Sequence, residues 1–324
     1  MDFSSIYASY QTQLNQVEQI LHERSIAQHE VLSHAGQQLI DAGGKRLRPL
    51  FALICGASSH QNTDAAPRVT KVAAALELIH MATLVHDDVI DNAELRRGRP
   101  TVRSEFGNLA AMYTGDFLFA RSIQLLAEID DPLVHRQMSL GMVRMCQGEV
   151  EQIRDFYNWN QSIRTYLKRI QRKTALLISL SCSLGAHVAG ATYADVNVLR
   201  QFGHYTGMAF QIIDDVLDFS GSEQVVGKPV GGDLRQGNIT LPALLAARDK
   251  KLGNRLSKLI VKGMPEEAAE EAIELIVESS ALDLARQLAD TYLHKALSVL
   301  RQVSVRRTQE ELAILTHFVA ERAF

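Results

Sequence analysis

Ile79-His80-Met81-Ala82-Thr83-Leu84-Val85-His86-Asp87-Asp88-Val89-Ile90-Asp91 is an apolar run that ends in an Asp-Asp-x-x-Asp cluster. A second such cluster, Asp214-Asp215-Val216-Leu217-Asp218, closes another run, in which Val198, Leu199, Phe202, Tyr205, Met208, Ala209, Ile212, Ile213, Val216 and Leu217 recur at three- and four-residue steps. That spacing is helical. On a helix, residues i and i+4 share a face and i+1 lies beside them, so each cluster gathers two or three carboxylates in one place. Acids inside apolar helices carry a desolvation cost and have partners. Crowded carboxylates raise one another's pKa unless a cation neutralises them. Magnesium suits the role, because it takes one or two protein carboxylates and completes its shell with water and phosphate oxygens. Two clusters in one chain therefore predict two helices facing each other across a metal-held diphosphate. A solvated surface reading competes for a single cluster, but the apolar flanks weigh against it. Neither cluster has the alternating loop pattern of an EF-hand calcium site.

Nearly the whole chain repeats the helical period. Long helices are expected near 5–32, 64–92, 107–128, 132–155 and 162–186, with shorter ones from 240 onward. Thr192 and Asp195 are N-cap candidates for the helix carrying the second cluster. Breaks are expected at 58–64, 98–100, 130–132, 158–161 and 190–193. The largest loop should be Ser220–Asn238, rich in glycine and holding Pro229. The 324 residues, 46% hydrophobic and 22% charged, provide ample core material. No linker or low-complexity stretch divides them, so residues 1–324 read as one all-α domain.

The net charge of -3 argues against nucleic acid as a partner. The three cysteines, Cys55, Cys146 and Cys182, are far apart, odd in number and without metal spacing. They read as reduced thiols in a cytoplasmic protein. The N-terminal residues show no basic stretch followed by an apolar run, so no signal peptide is expected. No uninterrupted apolar stretch approaches the roughly 20 residues that span a bilayer.

Cations cluster in a few places. Gly43-Gly44-Lys45-Arg46-Leu47-Arg48-Pro49 puts three of them at a helix start, where backbone N–H groups and the dipole favour an anion. By itself this stretch reads as a basic surface turn. Arg96 and Arg97 follow the first cluster and diverge by about 100° if helical, one for each of two anions. Lys173-Thr174 enters an apolar helix, and Lys228 lies in the glycine-rich loop. Together these cations and the two acid clusters suit two diphosphates, one bridged by metals and one gripped by basic side chains.

Taken in order, Gly43–Pro49, His80–Thr101, Lys173–Ala175, Phe210–Asp218 and Gly227–Pro242 resemble the all-trans polyprenyl diphosphate synthases over nearly the whole chain. Gly148–Asp155, Arg164–Leu167 and Arg172–Ile178 look most like the catalytic component II of bacterial two-component heptaprenyl diphosphate synthases. The resemblance implies a single-domain isoprenoid-synthase helical bundle with a central active-site cavity. It implies 1′-4 condensation of isopentenyl diphosphate with an allylic diphosphate such as farnesyl diphosphate.

Residue by residue, the resemblance makes Asp87, Asp91 and Asp214 ligands of Mg2+, with Asp88, Asp215 and Asp218 completing the clusters. Arg96, Lys173 and Lys228 would hold the allylic diphosphate. Lys45, Arg48, His80 and Arg97 would hold isopentenyl diphosphate, and Thr174 and Gln211 would place oxygens near the allylic cation. His86 is read as structural. Many members of the family carry Lys where this chain has Asn238, so one cation is missing there.

Thr83 and Ala82, one turn upstream of Asp87, are too small to plug a product tunnel as an aromatic would, which implies a long product. Leu76, Ile79, Met112, Tyr113 and Phe117 are candidates for a deeper floor. A quinone side chain is the implied destination. The implied assembly is a homodimer, or a heterodimer with a small non-catalytic component I, with transient membrane contact for product release. A class I terpene cyclase would lack the second cluster and the Lys45/Arg48 pair. A non-catalytic subunit of the same fold would be expected to have lost Asp87, Asp91 or Lys173.

Overall fold

The computed structural model describes residues 2–58, 65–96, 98–220 and 230–321. Helices dominate them. The strand content among the described residues is one antiparallel pair, Leu95–Arg96 with Arg99–Pro100, closed through Gly98 at φ +75°. The all-α expectation holds.

The chain divides into two compact units. One comprises Met1–Leu140, Leu177–Gly203 and Val299–Leu315, the other Gly141–Leu176, His204–Ser298 and Thr316–Phe324. In the first, α1 (Phe3–Ser9), α2 (Gln11–Ser25), α3 (Glu30–Asp41) and α4 (Leu47–Gly56) precede the long α5 (Ala66–Ile90) and α6 (Val102–Ala127). α5 packs against α2, α4 and α6. Leu76, Ile79, Ala82 and Val85 lie on different sides of it, yet all are fully buried. A helix apolar all round is a core helix. Among the described residues α5 is also the one helix long and apolar enough to cross a membrane, and 72% of its most apolar window is buried within the protein.

The expected helix over 5–32 is three helices. Tyr10 adopts φ -105°, ψ 8° between α1 and α2, and its hydroxyl donates to Glu311 at 2.7 Å. Ile26 is extended after α2. The helix expected from residue 107 begins at Val102, capped by the Thr101 hydroxyl, and Gly107 is a kink inside it at φ +83°.

Further along run α7 (Pro132–Arg154), α8 (Ile163–Ile170), a π-helical segment (Gln171–Ala175), α9 (Leu176–Val188) and α10 (Tyr193–Ser220). The start of α10 is as expected. The Thr192 hydroxyl accepts from Asp195 N–H at 3.1 Å and donates to the Asp195 carboxylate at 2.8 Å. Such reciprocal capping fixes a helix start. The core of the second unit gathers Tyr166, Ile170, Met208, Ile212, Val216 and Ile273. The part of the expected 220–238 loop that is described contains a helical turn, Gly232–Arg235.

Candidate active site

α5 ends at the first Asp cluster. Asp91 caps it, its N–H donating to the Asp87 carbonyl at 2.8 Å, and Asn92 turns the chain at φ +51°. The three carboxylates differ. Asp88 is 2% exposed, and Arg96 reaches its Oδ1 with Nη2 at 2.7 Å and Nε at 2.9 Å. Asp87 and Asp91 are half-buried and share the i, i+4 face. His86 packs over Gly115 of α6, where an added Cβ would fall 2.1 Å from the ring, and its Nε2 meets Met112 O at 3.1 Å. That contact fits the structural reading of His86.

Three positive φ values within four residues shape most of the cation loop. Gly43 is at +67°, Gly44 at +154° and Arg46 at +44°. Arg46 is the exception for a residue with a side chain, and such a conformation costs on the order of 1 kcal/mol or more. Its guanidinium compensates by turning inward, where it is buried. It donates to Glu18 at 2.5 and 3.1 Å, to Glu77 at 3.1 Å and to the Ile40 carbonyl at 3.1 Å. The loop is thereby anchored on α2, α3 and α5, leaving Lys45 exposed and Arg48 half-buried. A pocket beside it is lined by Gly43, Arg46, Glu77, His80, Asp88 and Arg96 among others.

In the second unit, Lys173 and Thr174 sit on the π-helical segment. Such widened turns are frequent at functional sites. Lys173 Nζ donates to Glu149 at 2.9 Å. Thr174 Oγ1 donates to Gln211 Oε1 at 2.6 Å, Gln211 Nε2 donates to Asp215 Oδ1 at 2.8 Å, and Tyr166 Oη donates to Asp215 Oδ2 at 2.5 Å. Arg169 lies over the Tyr166 ring, 5.7 Å from its centroid.

The second cluster divides its labour much as the first does. Asp214 is exposed and Asp215 buried with both oxygens accepting. Asp218 accepts from Gly232 and Asp233 N–H groups at 3.1 and 3.2 Å, tethering the turn that follows. Burial, then the nearby Asp233 charge, pushes the Asp215 and Asp218 carboxyls up to about 8. Asn238 donates to Asp233 at 3.2 Å.

The structure thus brings together Thr174, Gln211 and Asp215 in one unit, and Asp88, Arg96 and His80 around one pocket in the other. Arg97 and Lys228 lie outside the described residues. Tyr166, Glu149 and Glu77 were not anticipated from sequence as parts of these arrangements, and Arg46, expected among the cations facing an anion, is turned inward onto Glu18 and Glu77 instead. Tyr166 carries one available signal: it falls on the buried stripe of the helix that leads to Lys173-Thr174.

The donors are carboxylate oxygens gathered in two short clusters, a set that suits a hard divalent ion. Among the described residues no three His, Cys, Asp or Glu side chains form a ready-made cage. Magnesium suits such a partial set, because it is content with few protein ligands and completes its shell from phosphate and water.

The pattern of the family described as "Polyprenyl synthetase" matches residues 29–278. The chain is 44% identical to heptaprenyl diphosphate synthase component 2 of Bacillus subtilis, over all of this chain and 92% of that one. The crystal structure of heptaprenyl diphosphate synthase from Staphylococcus aureus superposes with a TM-score of 0.92 at 38% identity, covering 97% of this chain and 98% of that one. A polyprenyl synthase from Caulobacter crescentus, solved with calcium and isoprenyl diphosphate, gives 0.92 at 33% identity over 98% and 97% of the two chains.

Proposed function

Because this chain belongs to the polyprenyl synthetase family and is a prenyltransferase, we propose that it extends an allylic primer, farnesyl diphosphate, with isopentenyl diphosphate to all-trans heptaprenyl diphosphate for a quinone side chain. The observation that carries this reading is the shared design of the two Asp clusters. In each, the first carboxylate is the more exposed and the second is buried and held by neighbours, by Arg96 at Asp88 and by Tyr166 and Gln211 at Asp215. More exposed carboxylates beside buried, anchored ones suit divalent metal and diphosphate.

In this reading Asp87, Asp91 and Asp214 hold magnesium, and Asp88, Asp215 and Asp218 keep the clusters in shape. Magnesium, when bound there, would neutralise charge on the departing diphosphate. Arg96 and Lys173, with Lys228, grip the allylic diphosphate, and Lys45, Arg48, His80 and Arg97 grip isopentenyl diphosphate. Cations placed where charge grows act on the transition state. The allylic C1–O bond breaks and its electron pair leaves with the diphosphate. The isopentenyl double bond then attacks C1. A proton leaves C2 of the isopentenyl unit to the departed diphosphate, forming the trans double bond. Thr174 and Gln211 face the cation with oxygen.

Residues 1–324 act as one catalytic domain, since each compact unit is assembled from separated stretches of chain. A component I partner follows from the component 2 relative. A cytoplasmic location, with brief membrane contact at product release, completes the proposal.

The test is purified protein with magnesium, farnesyl diphosphate and labelled isopentenyl diphosphate, the products dephosphorylated and sized. A heptaprenol only when component I is added supports the two-component reading. A discrete product from the chain alone gives a self-sufficient synthase and its length. No condensation under either condition defeats the proposal.

A further inference from the structure

We propose that Tyr166 and Asp215 are positioning residues that set the direction of a hydrogen-bond relay ending at Thr174, so that Thr174 turns lone pairs rather than a proton toward the substrate. The inference rests on the proposed placement of Thr174 and Gln211 beside the allylic cation.

Each link constrains the next. Tyr166 Oη and Asp215 Oδ2 are 2.5 Å apart. The proton between them lies on the Oδ2 side whichever oxygen carries it, so Oδ1 remains an acceptor. Gln211 has one donor end and one acceptor end. Asp215 Oδ1 takes the donor end at 2.8 Å, which turns the Gln211 carbonyl to Thr174. Thr174 owns a single hydroxyl proton, and the 2.6 Å contact to Gln211 Oε1 commits it. In every other direction Thr174 Oγ1 offers only lone pairs. A carbon becoming positive is stabilised by such an oxygen and repelled by a hydroxyl proton. Preorganised dipoles of this kind need no rearrangement during the reaction.

Burial makes the arrangement durable. Tyr166 is fully buried, Asp215 3% exposed and Thr174 7% exposed, so water has little access to substitute for a missing link. The π-helical segment and α10 approach closely here. A Cβ on Gly207, one turn before Gln211, would fall 2.5 Å from Ala175 Cα.

The experiment compares Tyr166→Phe, Asp215→Asn, Thr174→Val, Thr174→Ser and the double variant Y166F/T174V, with farnesyl diphosphate and isopentenyl diphosphate as substrates. Thr174→Val should lower kcat and Thr174→Ser should largely restore it. Tyr166→Phe should lower kcat, by less than the roughly 10²- to 10³-fold loss that follows from removing a dipole in direct contact with the reacting group. Both KM values and the half-saturating magnesium concentration should stay within about twofold. The double variant should be no slower than T174V alone, because the relay acts as one unit. Asp215→Asn can turn its own amide toward Gln211 and reverse the chain, so it should be slower than Tyr166→Phe. It also decides the matter if Tyr166→Phe does not fold.

If Thr174→Val leaves kcat unchanged, the placement of Thr174 beside the cation fails. If T174V is slow but Y166F only lowers the melting temperature, or the double variant multiplies both effects, the relay is overturned and Tyr166 is a packing residue. A raised magnesium requirement in Y166F and D215N alike assigns their effect to metal binding and also overturns it.

Discussion

Arg96 grips Asp88 through two of its nitrogens, Nη2 at 2.7 Å and Nε at 2.9 Å from the same carboxylate oxygen. The aspartate is almost wholly buried and the arginine largely so. Removing one partner of a fully buried pair costs about 3–5 kcal/mol; here Asp87 and Asp91 also face Arg96, so the loss should be smaller. Asp88→Ala should therefore lower the urea midpoint, and Arg96→Ala should do so with less effect in the D88A background than alone. Additive losses in the double variant would show that the contact does not couple the two residues.

Lys45 is exposed while its neighbour Arg46 is locked inward by Glu18 and Glu77. The loop is thus held by one cation and carries an exposed one beside it. Lys45→Ala should raise the KM for isopentenyl diphosphate about tenfold, roughly the effect of one lost charge-assisted contact, with little change in that for the allylic substrate. Lys173→Ala should do the reverse. Steady-state kinetics with each substrate varied in turn decides it, and equal effects on both substrates reject the division.

Thr83 and Ala82 separate as candidates for the product wall. Ala82 is fully buried, whereas Thr83 is half-buried, its hydroxyl donating to the His80 carbonyl at 2.7 Å. Thr83→Phe should shorten the product, read by chromatography of the dephosphorylated prenols. Ala82→Phe should first overpack the core, at about 1–3 kcal/mol, and lower the melting temperature. An unchanged product length in T83F moves the tunnel elsewhere.

These contrasts mark how far the sequence carries. α5 was legible because it is apolar on every side and stops where Asp91–Asn92 leaves the helix. The aspartates were legible from spacing alone. The breaks around α2 were not, since neither Tyr10 nor Ile26 is a breaking residue. Tyr10 is drawn out of line by Glu311, 301 residues away. Gly107 looked like a helix start because a glycine kink and a helix end carry the same local signal. The π-helical turn at Lys173-Thr174 leaves no periodic trace in so short a segment. Tyr166, Glu149 and Arg46 matter through partners that only the tertiary fold supplies.

Asp195 makes a pH prediction. Burial pushes its carboxyl up, but donation from Ser304 N–H and Oγ, each at 2.8 Å, and from the Thr192 hydroxyl outweighs burial and holds it below the ordinary value of 3.8. A carboxylate lowered on folding stabilises the protein above its unfolded pKa, near 3.9, and loses that contribution as the pH falls through the folded value. Asp195→Asn should therefore be less stable than the parent at pH 7, by about 1–3 kcal/mol, the range for hydrogen bonds to a charged acceptor. The difference should shrink below about pH 4. Urea unfolding at pH 7, 5 and 3.5 measures it, and a gap that persists undiminished to pH 3 would show that charge is not its source.

Gly207 tests whether backbone approach governs the Thr174–Gln211 contact. Its missing Cβ would lie 2.5 Å from Ala175 Cα, 3.0 Å from Ala175 Cβ and 3.2 Å from Ala175 O. These are mostly backbone atoms, which cannot swing aside as a flexible side chain would. Replacing a mid-helix glycine by alanine ordinarily favours the helix by about 0.5–1 kcal/mol, whereas overpacking costs about 1–3 kcal/mol. Gly207→Ala should therefore destabilise despite its better helix propensity. The shift should also part α10 from the π-helical segment and stretch the 2.6 Å hydrogen bond between Thr174 and Gln211. Turnover should fall while the KM for isopentenyl diphosphate holds, since Lys45 and Arg48, at the start of α4, do not touch this contact. Thermal melting and steady-state kinetics on the same preparation separate the two effects. A lowered melting temperature with unchanged kcat would mean that the close approach serves packing alone.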